Sequence, residues 1–205
     1  MTDVVGIVLA AGSSRRLGRT KQTLAFGAGT LLAHVVADVE ASTLDRVVVV
    51  LGRDVPRQAV SRKPGRAEVT RSESPGTAGC ASSLQAGLSA AGECAAIVLL
   101  LGDMPGVTPA TIDTLVAAWR ASPTWAAVTS YADGVGHPFL FSADAFPALR
   151  ALHGDKAVWK IIDRESEQRV ARVMVDRPLP RDVDTWDDYV AVCRTFGFAP
   201  EAALG

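Results

Sequence analysis

Several features that define other protein classes are scarce in this sequence of 205 residues. Its three cysteines, Cys80, Cys94 and Cys193, are odd in number and widely spaced, which fits neither a disulfide framework nor closely paired zinc ligands. We therefore expect reduced thiols. The longest apolar runs, at residues 4–9 and 95–101, are far shorter than the roughly 20 residues that cross a bilayer.

No charge of one sign dominates. The chain has 21 basic and 22 acidic residues, so the formal net charge is −1. This balance excludes a general nucleic-acid or membrane-surface binder, and any phosphate binding must be local. The start, Met1-Thr2-Asp3, lacks the basic residues of a signal peptide, so we expect a cytoplasmic protein.

The hydrophobic content of 48% is ample for a packed core, and the length is near that of one large domain. We predict a single domain over residues 1–197 and a flexible tail over residues 198–205. No internal repeat or low-complexity tract divides the chain.

Short apolar runs alternate with helical patterns along the chain. Continuous aliphatic runs at residues 4–9, 47–51 and 96–101 are typical of strands buried on both faces of a parallel sheet. Amphipathic spacing predicts helices over residues 31–39 and 112–119, the second behind the cap Thr108-Pro109. The alternation predicts a three-layer αβα sheet with right-handed crossovers.

The remaining elements are less regular. Later strands are predicted at residues 126–131, 138–141 and 172–175, and a last helix near Thr185, with Asp187 and Asp188 in its first turn. Residues 53–74 are polar and weakly patterned, so we predict only a short helix and one strand there.

The first strand leads into a loop of small and basic residues, from Ala10 to Gly18, and Lys21 follows. Such a loop can turn backbone N–H groups toward an anion, while arginine and lysine neutralise phosphate charge. The spacing is not that of the P-loop or of the three-glycine dinucleotide fingerprint. An ordinary turn with solvated basic residues is the alternative.

Two acidic segments are candidate magnesium sites. Asp103 follows the third apolar run, at the carboxyl end of a central strand, where open α/β sheets bind ligands. Asp182 and Asp184 project to the same side if their segment is extended. On spacing alone, capping or solvation of the aspartates between 182 and 188 is favoured, and Asp103 is also a candidate turn residue before Pro105.

Two further motifs are open to more than one interpretation. A second small-residue loop, at residues 75–84, suits either a base or ribose contact or simple helix capping. His137 precedes Pro138 at a predicted strand start, where it is an acid–base candidate, a substrate contact or a structural residue.

Taken together, these segments resemble the MobA-like nucleotidyltransferases and, within them, the molybdenum cofactor cytidylyltransferases. The matching blocks occur in the family's order between residues 4 and 190. They are LAAGSSRRLGRTKQTL, GCASSLQAGL, LLLGDMP, GHPFLF, LHGDKAVWKII and DVDTWDDY.

The resemblance implies a Rossmann-like, mixed but mostly parallel sheet of about seven strands, as in nucleotide-diphospho-sugar transferases. It assigns catalysis to Lys21, Arg16 and Asp103, and Mg²⁺ binding to Asp103 and Asp184. The implied nucleotide contacts are Leu9, Ala10, Ala11, Gly12, Ser13, Ser14, Arg15, Lys21, Gly79, Ser82 and Ser83. The implied contacts to the second substrate are His137, Pro138, Gly154 and Asp155.

The implied reaction transfers CMP from CTP to a phosphorylated acceptor such as molybdopterin, and GTP is the alternative donor. A molybdoenzyme or its maturation factor is an expected partner. The sequence departs from the cytidylyltransferase pattern at Cys80 and Ala81, where methionine and serine are usual, at Met104, where glutamine is frequent, and at Trp186, where proline is usual. These departures bear on the substrate rather than on catalysis.

Two functions of other classes fit the sequence less well. A non-catalytic nucleotide- or cofactor-binding accessory protein is disfavoured because Lys21, Asp103 and Asp184 are retained. A dinucleotide-dependent oxidoreductase is disfavoured because the three-glycine fingerprint is missing and Gly52-Arg53 stands where an acidic residue is needed.

Overall fold

The computed structural model describes residues 2–12, 14, 16–60, 65–72, 80–153 and 157–202, without the side chains of Cys80 and Ala157. Strands and helices alternate along these residues. The strands are β1 (Val4–Ala10), β2 (Ala25–Phe26), β3 (Gly29–Thr30), β4 (Arg46–Leu51), β5 (Ala67–Arg71), β6 (Ala96–Leu101), β7 (Ala126–Tyr131), β8 (Gly134–Ser142) and β9 (Val170–Met174). The α-helices are α1 (Leu31–Glu40), α2 (Cys80–Ala91), α3 (Pro109–Ala121), α4 (Phe146–Arg150), α5 (Ala157–Ile162) and α6 (Trp186–Thr195).

The main sheet has seven strands in the order β5-β4-β1-β6-β8-β7-β9. Strand β8 runs antiparallel to both of its neighbours, β6 and β7, and the other recorded pairings are parallel. Strands β2 and β3 form a separate small hairpin. The predicted mixed, mostly parallel sheet is confirmed.

Helices cover both faces of the sheet and make the predicted three layers. Apolar side chains of α1 and α3 pack on one face, and those of α2, α4 and α5 pack on the other. The central strands β1, β4 and β6 are buried on both faces because each side meets a helical layer. A third cluster, around Phe26, Leu31 and Tyr189, joins α6 to the small hairpin.

Some element bounds differ from those predicted. Strand β8 begins at Gly134, four residues before the predicted Pro138, because pairing with β7 continues past a register shift next to Thr129. Strand β9 begins at Val170 rather than Arg172, since Ala126 supplies a partner. Within residues 53–74, the described part contains one 3-10 turn, Arg57–Ala59, and strand β5, which agrees with the predicted short helix and strand.

The predicted caps of two helices are present. Thr108 caps α3 through its side chain, with proline at the first turn. Thr185 caps α6, and Asp188 returns a hydrogen bond to the backbone of Thr185, which completes a capping box.

The expected tail begins in contact with the fold. The ring of Phe198 lies 4.8 Å from that of Phe26. The backbone N–H of Glu201 donates to the hydroxyl of Tyr189 over 3.0 Å, and the carboxylate of Glu201 pairs with Arg19. Among the described residues, no helix combines the length and apolar character needed to cross a membrane.

Candidate functional site

Three residues that are far apart in sequence meet at the carboxyl edge of the central strands. The ammonium nitrogen of Lys21 contacts Oδ2 of Asp103 and lies 2.8 Å from Oδ1 of Asp184. The lysine side chain is only 9% exposed, whereas that of Asp184 is 46% exposed. The two predicted metal ligands and the predicted phosphate-binding lysine therefore form one cluster.

Backbone hydrogen bonds bring the two carboxylates together. The N–H of Gly102 donates to the carbonyl of Leu9 over 2.9 Å, which fixes the end of β6 against the end of β1. The N–H of Val183 donates to the carbonyl of Asp103 over 3.0 Å. Because Val183 is fully buried, its neighbours Asp182 and Asp184 are held at the same edge.

The loop after β1 holds Lys21 through Ser14. The hydroxyl of Ser14 accepts a hydrogen bond from the backbone N–H of Lys21 over 2.9 Å, and its carbonyl accepts one from Leu17 over 3.1 Å. Ser14 has a φ of 49° and Gly18 one of 67°, so the chain turns sharply at both residues. The predicted contacts Ser13 and Arg15 lie outside the described residues.

The charges of this cluster are coupled. Burial lowers the pKa of Lys21, but the carboxylates of Asp103 and Asp184 outweigh it, so the pKa lies above its ordinary value and the amine stays charged. Partial burial, together with the charges of Asp103 and Asp184, raises the pKa of Asp182. The guanidinium of Arg16 lies 3.5 Å from Asp184 with 74% of its side chain exposed, so it is free to reach toward solvent.

The donor set fits a hard divalent cation that is bound together with a phosphate. Among the described residues, no three His, Cys, Asp or Glu side chains are grouped to hold a metal by themselves. Two carboxylates converge here, and Oδ1 of Asp103 is buried without a hydrogen-bond partner. Magnesium commonly takes one or two carboxylates and completes its shell with water and substrate phosphates.

The loop after β4 packs against the loop after β1. A Cβ added to Gly52, which follows β4, would lie 3.2 Å from Cα and from the carbonyl oxygen of Ala11. The guanidinium of Arg71 donates to the carbonyls of Gly52 over 2.9 Å and Val55 over 3.1 Å. Arg71 therefore fixes the backbone that packs against the predicted nucleotide-binding residue Ala11.

His137 is fixed by β6. Its Nδ1 lies 3.1 Å from the carbonyl of Leu99, so this nitrogen carries the proton and donates. Burial lowers the pKa of His137 to about 4, which keeps the ring neutral near pH 7. Pro138 is buried, and its carbonyl accepts a hydrogen bond from Thr129 over 2.8 Å. The contacts that the structure shows for these two residues are structural.

The other predicted contacts divide into three groups. Leu9 and Ala10 are buried strand residues. A Cβ added to Gly12 would lie 3.8 Å from Cε of Lys21. Ser83 is buried and Ser82 lies 3.5 Å from the hydroxyl of Ser72, at the start of α2. Gly79, Gly154 and Asp155, like Ser13 and Arg15, lie outside the described part of the chain.

One residue at this site was not predicted. Gln22 is 1% exposed, its amide nitrogen lies 3.5 Å from the carbonyl of Gly12, and its Oε1 has no hydrogen-bond partner. A buried side-chain oxygen without a partner is uncommon and marks a position where a ligand can supply the missing donor. Its only signal in the sequence is its place directly after Lys21.

Comparisons with known proteins agree on the family, whereas the names of the relatives cover more than one activity. The family model described as "MobA-like NTP transferase domain" matches residues 6–170. A protein of Mycobacterium avium named "probable molybdenum cofactor guanylyltransferase" is 34% identical over 177 residues, which are 82% of this chain and 85% of that protein. "Nicotine blue oxidoreductase" of Paenarthrobacter nicotinovorans is 30% identical over 193 residues, covering 89% and 92%.

Solved structures agree on the fold. Rv0371c of Mycobacterium tuberculosis H37Rv is 38% identical, with a TM-score of 0.83 over 94% of this chain and 98% of that one. A structure of the same protein in complex with manganese has a TM-score of 0.79 at 36% identity, over 95% and 100% of the two chains. Nucleotidyltransferases below 25% identity share the same fold.

Proposed function

The chain belongs to the MobA-like NTP transferase family, and we propose that it transfers CMP from CTP to the terminal phosphate of molybdopterin or a similar phosphorylated small molecule in the cytoplasm. The observation that carries the proposal is the position of Lys21 between Asp103 and Asp184, at the end of the central strands. This cluster brings together the groups that neutralise a triphosphate and a metal ion.

The reaction needs no side-chain nucleophile. An oxygen of the acceptor phosphate attacks the α-phosphorus of the triphosphate in line, a new P–O bond forms, and the bond to pyrophosphate breaks. The acceptor phosphate is already an anion near pH 7, since its second pKa is about 6, so a general base contributes little. The neutral ring of His137, held on Leu99, is consistent with this requirement.

Residues of this chain are proposed to orient the nucleotide and to neutralise the negative charge of its phosphates. Lys21, whose backbone is fixed by Ser14 and whose amine stays charged, is proposed to offset the negative charge that develops on the leaving pyrophosphate. Arg16 is exposed beside Asp184, and we propose that it contacts the same phosphates. Gly52 and Ala11 pack closely, so the loop after β1 has a rigid wall against which the nucleotide is oriented.

Asp103 and Asp184 are the proposed magnesium ligands. They would hold the ion, which would offset the negative charge of the phosphates in the transition state. A backbone hydrogen bond holds the two carboxylates near each other, because the N–H of Val183, the residue before Asp184, donates to the carbonyl of Asp103. Asp182 is the third acid at this edge, and the raised pKa of its carboxyl reflects the crowding of negative charge.

The donor nucleotide is proposed from the sequence blocks and weighed against the names of the relatives. The blocks of the sequence resemble cytidylyltransferases, which favours CTP. GTP is the second candidate because relatives that carry the molybdenum cofactor name, including the one from M. avium, are named guanylyltransferases. A molybdoenzyme or its maturation factor is the proposed recipient of the product.

Pyrophosphate release tests the function directly. Purified protein is incubated with molybdopterin and one of CTP, GTP, ATP or UTP, in Mg²⁺ or Mn²⁺, and pyrophosphate is followed by a coupled assay. We expect release with CTP at least tenfold faster than with any other nucleotide. If pyrophosphate release is faster with GTP, the donor is GTP and the reaction class is unchanged. A protein that binds nucleotide in a thermal-shift assay but releases no pyrophosphate is the accessory protein instead.

A further inference from the structure

The ammonium of Lys21 lies where a cation shared by Asp103 and Asp184 has to lie. It contacts Oδ2 of Asp103 and Oδ1 of Asp184, one oxygen from each of the proposed metal ligands. The other oxygen of Asp103, Oδ1, is buried and has no partner among the described residues. The accessible oxygen of Asp103 is therefore the one that Lys21 covers.

Lysine and metal compete for these oxygens. Magnesium lies 2.0–2.1 Å from its oxygen ligands, and a lysine nitrogen that stayed hydrogen-bonded to the same oxygens would be roughly 4 Å from the ion. Repulsion between a divalent ion and an ammonium at that distance, in a partly buried site, opposes joint occupancy strongly. Binding of one cation therefore weakens binding of the other.

The backbone of Lys21 is fixed by the loop, whereas its ammonium is held by the two carboxylates. Its N–H is fixed by the hydroxyl of Ser14, and its stem passes beside Gly12. Asp184 is nearly half exposed, so the cluster is open to solvent on the side of this carboxylate. A lysine side chain has four rotatable bonds, and this stem can turn the amine from carboxylates to a neighbouring phosphate while the loop stays in place.

We propose that Lys21 is an internal cation that occupies the metal position until a triphosphate draws its ammonium away, so that metal binding is gated by nucleotide. The inference rests on the proposed function and names how that site is regulated. The triphosphate does two things: it gives the ammonium another anionic partner, and it supplies oxygens that complete the metal shell. Without nucleotide, the site neutralises itself and binds metal weakly.

Metal binding without nucleotide tests this inference. Free Mn²⁺ is measured by electron paramagnetic resonance during titration of the wild type and of Lys21→Met, with no nucleotide and no acceptor. We expect Lys21→Met to bind Mn²⁺ about tenfold more tightly or better, because a competing positive charge is removed. Lys21→Gln is measured as well, since its amide keeps hydrogen bonds to the carboxylates if the methionine variant does not fold.

Arg181→Met is the matched control. Arg181 is an exposed cation that pairs with Asp188 over 3.4 Å in the same segment, so its loss removes one nearby charge without opening the position between the carboxylates. Its Mn²⁺ affinity should stay within twofold of the wild type. If the wild type binds Mn²⁺ as tightly as both Lys21 variants, the gating inference is overturned while the pyrophosphate assay still decides the reaction class.

Discussion

Replacing Asp103 with asparagine separates the chemical role of this carboxylate from its structural role. The change keeps volume and one carbonyl oxygen, but it removes one negative charge from the pair that faces Lys21. Loss of one preorganised charge contact typically costs roughly 100-fold in turnover, which is about 2.7 kcal/mol of transition-state stabilisation. We therefore expect kcat for pyrophosphate release to fall by about 100-fold or more.

The fold should tolerate Asp103→Asn. Lys21 retains Asp184 as a partner, and the buried Oδ1 of Asp103 makes no hydrogen bond that the change can remove. We expect a loss of about 1 to 2 kcal/mol in the free energy of unfolding, less than for a fully buried pair. At 2–4 °C per kcal/mol for a chain of this size, the melting temperature falls by about 2 to 8 °C.

The assay and its control follow from the same cluster. Initial rates are measured with saturating nucleotide and acceptor at a temperature well below both melting transitions. Asp187→Asn, an exposed position in the first turn of α6, should keep its rate within twofold of the wild type. An Asp103→Asn enzyme that turns over at more than a third of the wild-type rate would refute the role given to this carboxylate.

Three further predictions test the surroundings of the site. Ser14→Ala removes the acceptor for the N–H of Lys21, a hydrogen bond worth about 1 kcal/mol, and should raise KM for the nucleotide about fivefold, measured by initial rates. Gly52→Ala places a methyl group 3.2 Å from the backbone of Ala11 and should raise the same KM with little change in melting temperature. His137 has a pKa lowered to about 4 from an ordinary 6.5, so the unfolded chain binds the proton first, and stability measured by urea titration should fall as the pH drops from about 6.5 toward 4, a slope that His137→Gln removes.

The sheet follows from local patterns because its central strands are uniform. Strands β1, β4 and β6 are largely aliphatic runs. Such runs are typical of strands that are buried on both faces of a parallel sheet. The two caps, Thr108 and Thr185, are also local, since capping depends on residues within one turn. Strand β8 was harder to delimit because its first half, around Gly134 and Gly136, becomes a strand only through pairing with β7.

The pairing of Asp103 with Asp184 cannot be predicted from residue spacing alone. Asp184 is 81 residues from Asp103 in the sequence, and its own neighbourhood favours a simple capping role. Their convergence depends on one long-range backbone hydrogen bond from Val183, which no local pattern encodes. The family resemblance carried that information, whereas elementary sequence rules did not.

Other features of the site have no sequence signal. The ammonium of Lys21 contacts the carboxylates of Asp103 and Asp184. These three residues lie in separate segments of the sequence, so no local pattern predicts the contact. The sequence left several roles open for His137, and the carbonyl of Leu99 fixes its ring. The close approach of Gly52 to Ala11 also depends on the packing of two loops that are distant in sequence.

The most direct measurement is a crystal structure of the wild-type enzyme with Mn²⁺ and a non-hydrolysable CTP analogue, with anomalous data collected at the manganese edge. We predict one anomalous peak coordinated by Asp103, Asp184 and phosphate oxygens, with the ammonium of Lys21 moved onto the phosphates. A manganese ion bound away from either carboxylate, or a Lys21 that makes no phosphate contact, would contradict the account.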